Sequence, residues 1–484
     1  MQATFISINW SGVLWGLLVA YGALIIFVIG IVLSENRNPL KSLAWVTGLL
    51  LFPVGGVVLY FLFGRSIKNV KMISRRNRRK LLKQEDAQPL PRINREISLE
   101  NRQLIRLGYS IAGAIFYTGN DLKIFNDGAT HFKYLFDDLR NAKSYINLQF
   151  YIIANDSLGK ELRDILIDRA KHGVKVRVIY DYVGSFDASR RDFFQKLKIH
   201  GVEVHPFFRL EFPNHINRAN WRNHRKIVVV DGKIGYIGGM NVAERYITGM
   251  PFNKWRDTAV RITGPAVAEL QYNFAVDWKF MGHALLCDEV NSQPVPEPGS
   301  VGDVMVQLIT SGPTNRWGNM LLLFFKAISA AKRRILLQTP YFLPSDGLLK
   351  ALESAALSGV DVRVMLPRKS DSWILTHASQ SYVEECLLAG IKIYLYEAGM
   401  LHGKVLVVDD EFASTGSTNF DFRSFEHNFE ENIVAYSREV NGLLAEQFME
   451  DAKDCTRLKL SEWNKRPRAD KVKESIFRLL SPIL

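Results

Sequence analysis

Cysteine is scarce in this chain of 484 residues: Cys287, Cys386 and Cys455 are scattered, odd in number and without CxxC spacing. Their scarcity argues against a disulfide framework or a thiolate metal site and fits a reducing compartment. Charge is absent from two long stretches, residues 10–33 and 42–64. Each is long enough to cross a hydrocarbon core of about 30 Å as a helix. Acidic residues are absent from 65–83, which carries nine Lys and Arg. Hydrophobic content is an ordinary 47%, so composition does not describe a disordered chain.

The loop from Ser34 to Lys41, with Asn38-Pro39, joins the two apolar stretches into an expected helical hairpin across a bilayer, and Pro53 with Gly55-Gly56 is expected to kink its second span. A cleaved signal peptide fits poorly, because no basic residue precedes the first stretch and a second follows at once. The loop offers only Arg37 and Lys41 against Glu35, whereas Arg65 to Lys83 forms a basic collar. The positive-inside rule therefore predicts a multi-pass protein whose collar and catalytic body lie in the cytoplasm. The net charge of +13 calls for an acidic partner. Its placement beside the spans points to anionic phospholipid rather than nucleic acid.

Downstream the chain repeats itself. Ile146-Asn-Leu-Gln-Phe-Tyr aligns with Ile335-Leu-Leu-Gln-Thr-Pro-Tyr, and His172-Gly-Val-Lys-Val-Arg-Val with Ser358-Gly-Val-Asp-Val-Arg-Val. Each pair reads as strand, helix (Leu158 to His172; Gly347 to Ser358) and strand. Unbroken apolar strands predict an α/β fold with a mostly parallel sheet covered on both faces. The expected organisation is a hairpin (1–66), a basic juxtamembrane segment and linker (67–110), a first half (111–287), a linker (288–302), a second half (303–463) and a basic amphipathic tail (464–484). The two halves are expected to pack as a pseudo-dimer. The sequence sets no oligomeric state.

The tripeptide His-x-Lys occurs twice, at His224-Arg225-Lys226 and His402-Gly403-Lys404, each followed by four apolar residues and an Asp, Asp231 or Asp409. In each copy Gly238 or Gly416 follows, then Asn241 or Asn419. Residues i and i+2 of an extended strand share a face, so each His lies beside its Lys. That pair suits a phosphate: the lysine neutralises non-bridging oxygens while the imidazole attacks or moves a proton. Two facing pairs give one His as nucleophile and the other as acid and then base, with either order open and no metal or cofactor required. The Asp stands roughly 23 Å along a straight strand from its own His. Asp231-Gly232 therefore reads as a turn. Asp257 and Glu431, each ahead of a short apolar segment, are better placed to orient an imidazole.

These residues resemble the phospholipase D superfamily, whose paired signature is H-x-K-x4-D with a trailing G-[GS]-x-N. The branch they resemble more closely is the bacterial cardiolipin synthases. Asn38-Pro39, Leu43-Ala44-Trp45, Thr339-Pro-Tyr-Phe-Leu-Pro and Gly416-Ser-Thr-Asn-Phe-Asp-Phe-Arg carry that likeness. The resemblance implies a bacterial inner-membrane enzyme that joins two phosphatidylglycerol molecules into cardiolipin, releasing glycerol. It implies His224 as nucleophile and counts Lys226, Asp231, His402, Lys404 and Asp409 in the catalytic set. Hydrolysis, or transfer to another alcohol, would use the same residues.

Overall fold

The computed structural model describes residues 10–34, 39–64, 67–68, 70–82, 97–210, 220–291 and 302–481. The expected hairpin loop around Asn38, Arg65 and Lys83 of the collar, most of the linker before Ile97, most of the linker after Asn291 and the last three residues lie outside these. Two compact units emerge: 1–67 with 210–220, and 68–209 with 221–484.

In the first unit, Trp10–Ser34 is an unbroken helix of 25 residues. Among the described residues it is the one helix long and apolar enough to cross a membrane. The second stretch, expected as a single kinked span, is divided. Pro39–Leu51 is helical, the helix stops at Phe52 (φ −127°, ψ 72°), and Pro53 begins Pro53–Leu59, followed by a π-helical turn, Tyr60–Gly64. Pro53 lacks the N–H that would continue the ladder, so it suits a first helical turn. Gly56 is required at this break, because a Cβ there would lie 2.8 Å from the Gly48 carbonyl.

The second unit carries the repeat. In its first half the strands are β1 (Phe116–Phe125), β2 (Tyr145–Phe150), β3 (Lys175–Asp181), β4 (Glu203–Phe207), β5 (Arg222–Asn223), β6 (Ile227–Val230), β7 (Ile234–Gly238), β8 (Trp255–Arg256) and β9 (Ala259–Thr263). The second half supplies β10 (Val304–Ser311), β11 (Arg334–Gln338), β12 (Asp361–Pro367), β13 (Lys392–Tyr396), β14 (Met400–Leu401), β15 (Val405–Val408), β16 (Phe412–Gly416), β17 (Asn428–Tyr436) and β18 (Cys455–Arg457). The crossover helices, Ser157–Lys171 and Asp346–Leu357, fall within a residue of expectation.

All but β8 and β14 join one continuous sheet, ordered β18-β13-β12-β11-β15-β16-β17-β10-β1-β9-β7-β6-β2-β3-β4, with β5 paired to β17. Apart from the edge strand β18, the order reads alike from either end, with its midpoint at the antiparallel β1–β10 pair. The expected pseudo-dimer is thus a doubled sheet. It is not mostly parallel, however: only β2-β3-β4 and β11-β12-β13 run parallel along the sheet path. The short hairpins β6-β7 and β15-β16 force antiparallel neighbours on the rest.

Asp231 and Asp409 end β6 and β15 in left-handed backbone, φ 53° and 51°. The Asp231 carboxylate accepts the N–H groups of Lys143, Ser144 and Tyr145; that of Asp409 accepts those of Lys332, Arg333 and Arg334. Each Asp therefore fastens the start of the neighbouring strand to a turn. Asp231→Ala and Asp409→Ala are each expected to destabilise the body by roughly 2 kcal/mol, through lost charged hydrogen bonds and left-handed strain. Turnover per folded molecule should survive. Denaturant titration, with activity normalised to the folded fraction, checks this. A folded variant without turnover would return the Asp to the chemistry.

Candidate active site

Each catalytic segment is held by the opposite half. β5, leading into His224, pairs with the start of β17, and the His224 N–H donates to the Phe429 carbonyl at 2.9 Å. β14, leading into His402, pairs with β8, and the His402 N–H donates to the Arg256 carbonyl at 2.6 Å. The residue after each carbonyl is a carboxylate. Glu430 Oε2 lies 3.0 Å from His224 Nδ1, and Asp257 Oδ2 lies 2.6 Å from His402 Nδ1. A carboxylate on Nδ1 fixes the tautomer that leaves Nε2 free toward the substrate.

The sequence reading needs two corrections here. The carboxylate on His224 is Glu430, not Glu431, and each orienting acid serves the His of the other half. Side chains alternate along a strand, so Glu431 points to the other face of β17. There it accepts from the Asn273 amide at 2.8 Å, and burial pushes its carboxyl up to about 8. Sheet register explains the offset: Gly238 pairs with Ala259 and Gly416 with Asn432, which makes Asp257 equivalent to Glu430 and Thr258 to Glu431. Spacing from Asn241 and Asn419 misses this, because the intervening loops differ in length.

Lys226 and Lys404 are each 3% exposed, and each ammonium donates to the carbonyl of its own His. Their charges reach across the site, since Lys404 acts on both His224 and Lys226. The paired half-sites therefore converge on one centre. Burial, with the Lys404 charge adding to it, depresses Lys226 to about 7, and burial lowers Lys404 too. Burial and Lys404 together carry His402 down to about 4 despite Asp257. His224 is lowered as well, chiefly by burial, with Glu430 pulling the other way. Burial would raise both carboxyls, but the facing cations more than offset it: Asp257 and Glu430 are held below their ordinary values. At rest the centre pairs two imidazoles biased toward neutrality and two buried lysines with two ionised acids.

Aromatic rings complete the walls. Tyr151 meets His224 edge-on at 4.9 Å, while Tyr246 and Trp255 face His402 at 5.9 and 5.6 Å. Asn241 belongs to this wall, because its amide donates to the Tyr246 hydroxyl at 2.7 Å and its carbonyl accepts from the Ile152 N–H. Asn419 is buried, with its backbone N–H on Ser424 Oγ at 3.1 Å. Gly239 is needed because a Cβ there would strike the Asp257 carboxylate. Beneath the motifs lie two matching networks. Asp277 accepts from Gln149 and Arg225; Asp451 accepts from Gln338 and Arg256. The pattern of the repeat could have revealed Gln149 and Gln338, but not that Arg256 does for Asp451 what Arg225 does for Asp277. Among the described residues no group of three or more His, Cys, Asp or Glu is arranged to hold a metal ion.

A doubled sheet with two converging His-x-Lys half-sites is the architecture of a phospholipase D-like protein. Comparison with known proteins agrees. The family model described as cardiolipin synthase, PLD-like domain, matches residues 135–278 and 324–452, and a phospholipase D-nuclease N-terminal model matches 22–65. The cardiolipin synthase of Geobacillus kaustophilus is 38% identical over 98% of this chain and 95% of its own length. The major cardiolipin synthase ClsA of Bacillus subtilis is 40% identical over 95% and 97%. A phosphatidylserine synthase from Haemophilus influenzae shares the fold, with TM-score 0.59 at 14% identity over 80% of this chain and all of its own. The chain belongs to the phospholipase D-like family of cardiolipin synthases.

Glu430 and Glu431 allow a direct test. Glu430→Gln keeps the shape but removes the charge that holds the His224 tautomer, and turnover should fall by about 10²-fold or more. Glu431→Gln should leave turnover within about threefold, since its carboxyl faces away from the phosphate. Equal losses in the two variants would contradict the register.

Proposed function

We propose that this protein is a cardiolipin synthase that moves a phosphatidyl group from one phosphatidylglycerol to the terminal hydroxyl of another. The observation that carries this reading is the pair of buried imidazoles, each braced by a carboxylate from the other half and each beside a buried lysine. His224 Nε2 attacks phosphorus while His402 gives a proton to the departing glycerol oxygen. The product is a phosphatidyl-histidine with Glu430 supporting the cationic ring. His402 then removes the proton from the second phosphatidylglycerol hydroxyl, that oxygen attacks phosphorus, and His224 is released. The incoming phosphodiester anion raises His402 toward the protonated form required of an acid, because it opposes the Lys404 charge. Lys226 and Lys404 meet the charge on the non-bridging oxygens without a metal. The apolar N-terminal helix supports a membrane anchor. The basic collar favours two spans with the catalytic body in the cytoplasm.

Purified full-length protein given phosphatidylglycerol should yield cardiolipin and glycerol by mass spectrometry, in EDTA as in its absence. Phosphatidic acid in place of cardiolipin would make the protein a hydrolase. The His402→Ala variant should accumulate a phosphatidyl adduct on His224, and an adduct elsewhere would reverse the roles.

Lys226 sets a pH expectation. A lysine depressed to about 7 loses its proton as pH rises through that value. A bound phosphate anion moves that loss upward. The alkaline limb of kcat/KM, which reports free enzyme, should therefore lie below the alkaline limb of kcat. Coincident limbs would show that Lys226 does not sense the phosphate.

A further inference from the structure

Segments adjoining the rings that line the site carry large apolar side chains into solvent. Phe186, five residues beyond β3, is 46% exposed. Two residues before it, Gly184 lies close against Tyr151, the ring that meets His224. Met250 is 63% exposed and lies four residues beyond Tyr246, the ring that faces His402. Trp373, also 63% exposed, opens the helix Trp373–Gln380, two residues after Asp371, which accepts the Tyr341 hydroxyl at 2.6 Å. The Asp371 charge is felt at both His402 and Lys404. Exposed apolar side chains thus stand on several sides of a buried centre. A soluble body gains nothing from that arrangement.

The terminal helix, Arg468–Leu479, continues the same surface. The sequence leaves two readings of this tail open, packing against the body or lying in a headgroup layer, and the helix has a face for each. Its inner face is fixed by ion pairs of Lys471 with Glu384 (3.3 Å) and Arg478 with Glu385 (3.1 Å). Phe477 packs edge-on against Trp373 at 4.9 Å, so the helix end adjoins the mouth. The outer face leaves Ile476 and Leu479 54% and 80% exposed, one turn apart. Lys465, Arg468 and Lys473 are exposed alongside, and Arg190 lies over the Phe186 ring at 5.6 Å. Apolar side chains bordered by Lys and Arg fit the boundary between headgroups and acyl chains of an anionic leaflet.

We propose that this rim and the outer face of the terminal helix form one docking surface for an anionic bilayer. Headgroups enter between the half-sites while the acyl chains remain in the membrane. The proposal rests on the lipid-substrate reading above and adds the face by which the lipid arrives. The opposite edge supplies a control. Leu357 is 73% exposed, but it ends the helix that leads into the start of β12, away from the mouth.

The test uses the full-length protein in proteoliposomes of phosphatidylglycerol and phosphatidylcholine. Met250, Leu479 or Leu357 is replaced, one at a time, by the photocrosslinking residue p-benzoylphenylalanine, and adducts are read by mass spectrometry after irradiation. Phospholipid adducts are expected at 250 and 479, and about tenfold fewer at 357, as interfacial burial requires. Adducts to a second copy of the chain at 250 and 479 would make the face a protein interface and overturn the proposal. So would equal lipid labelling at all three positions, or none at 250 and 479. The readout does not depend on turnover. A wild-type protein that makes no cardiolipin would sink the proposed function while leaving the adduct pattern to decide the docking face.

Discussion

Asp257 reaches His402 and Glu430 reaches His224, so both carboxylates that orient an imidazole cross between the repeated halves. The backbone does the same, since each His N–H donates to the carbonyl just ahead of the opposing acid. Neither half holds a finished site. The antiparallel β1–β10 pair fuses the two sheets, and the crossed strands β5–β17 and β8–β14 then set the imidazoles against their carboxylates. A buried carboxylate is costly unless paired and hydrogen-bonded, which couples integrity of the interface to integrity of the site. Duplication with exchange of the orienting acids explains why both halves must be present in one chain or one tight pair.

The electrostatic design follows from that enclosure. Burial pushes imidazoles and ammonium groups toward their neutral forms, and Lys404 adds to the effect at His402 and Lys226. The acids stay ionised because those same cations face them. The result is a pair of imidazoles biased toward neutrality and a strong response to an arriving anion. In the proposed reaction a phosphodiester opposes the Lys404 charge, so that substrate binding and activation of His402 become one electrostatic event.

Much of this was legible in the residues. The doubled His-x-Lys, the strand–helix–strand repeat and the turn at Asp231 follow from local pattern and from the reach of an extended chain. That turn appears with three backbone donors on the carboxylate, and Asp409 makes a matching one in the second half. The kink expected at Pro53 appears there as a break between two helices, whose extent depends on how neighbouring turns accommodate Pro53 and Gly56. The parallel character of the sheet was overestimated, because apolar runs signal burial on both faces without stating strand direction.

Residue type alone singles out the two His-x-Lys pairs, because charge and hydrogen-bonding capacity belong to residue types and recur in the repeat. Which acid meets which imidazole depends on strand pairing across the halves. Glu430 and Glu431 are chemically alike and adjacent, so nothing local separates them. Pairing of Gly416 with Asn432 fixes the register of β17, and one residue of register exchanges the two faces of a strand. That single step places Glu430 on His224 and turns Glu431 toward Asn273. Exchange across the halves was equally invisible to local pattern, because it arises from strands that meet only when the doubled sheet closes.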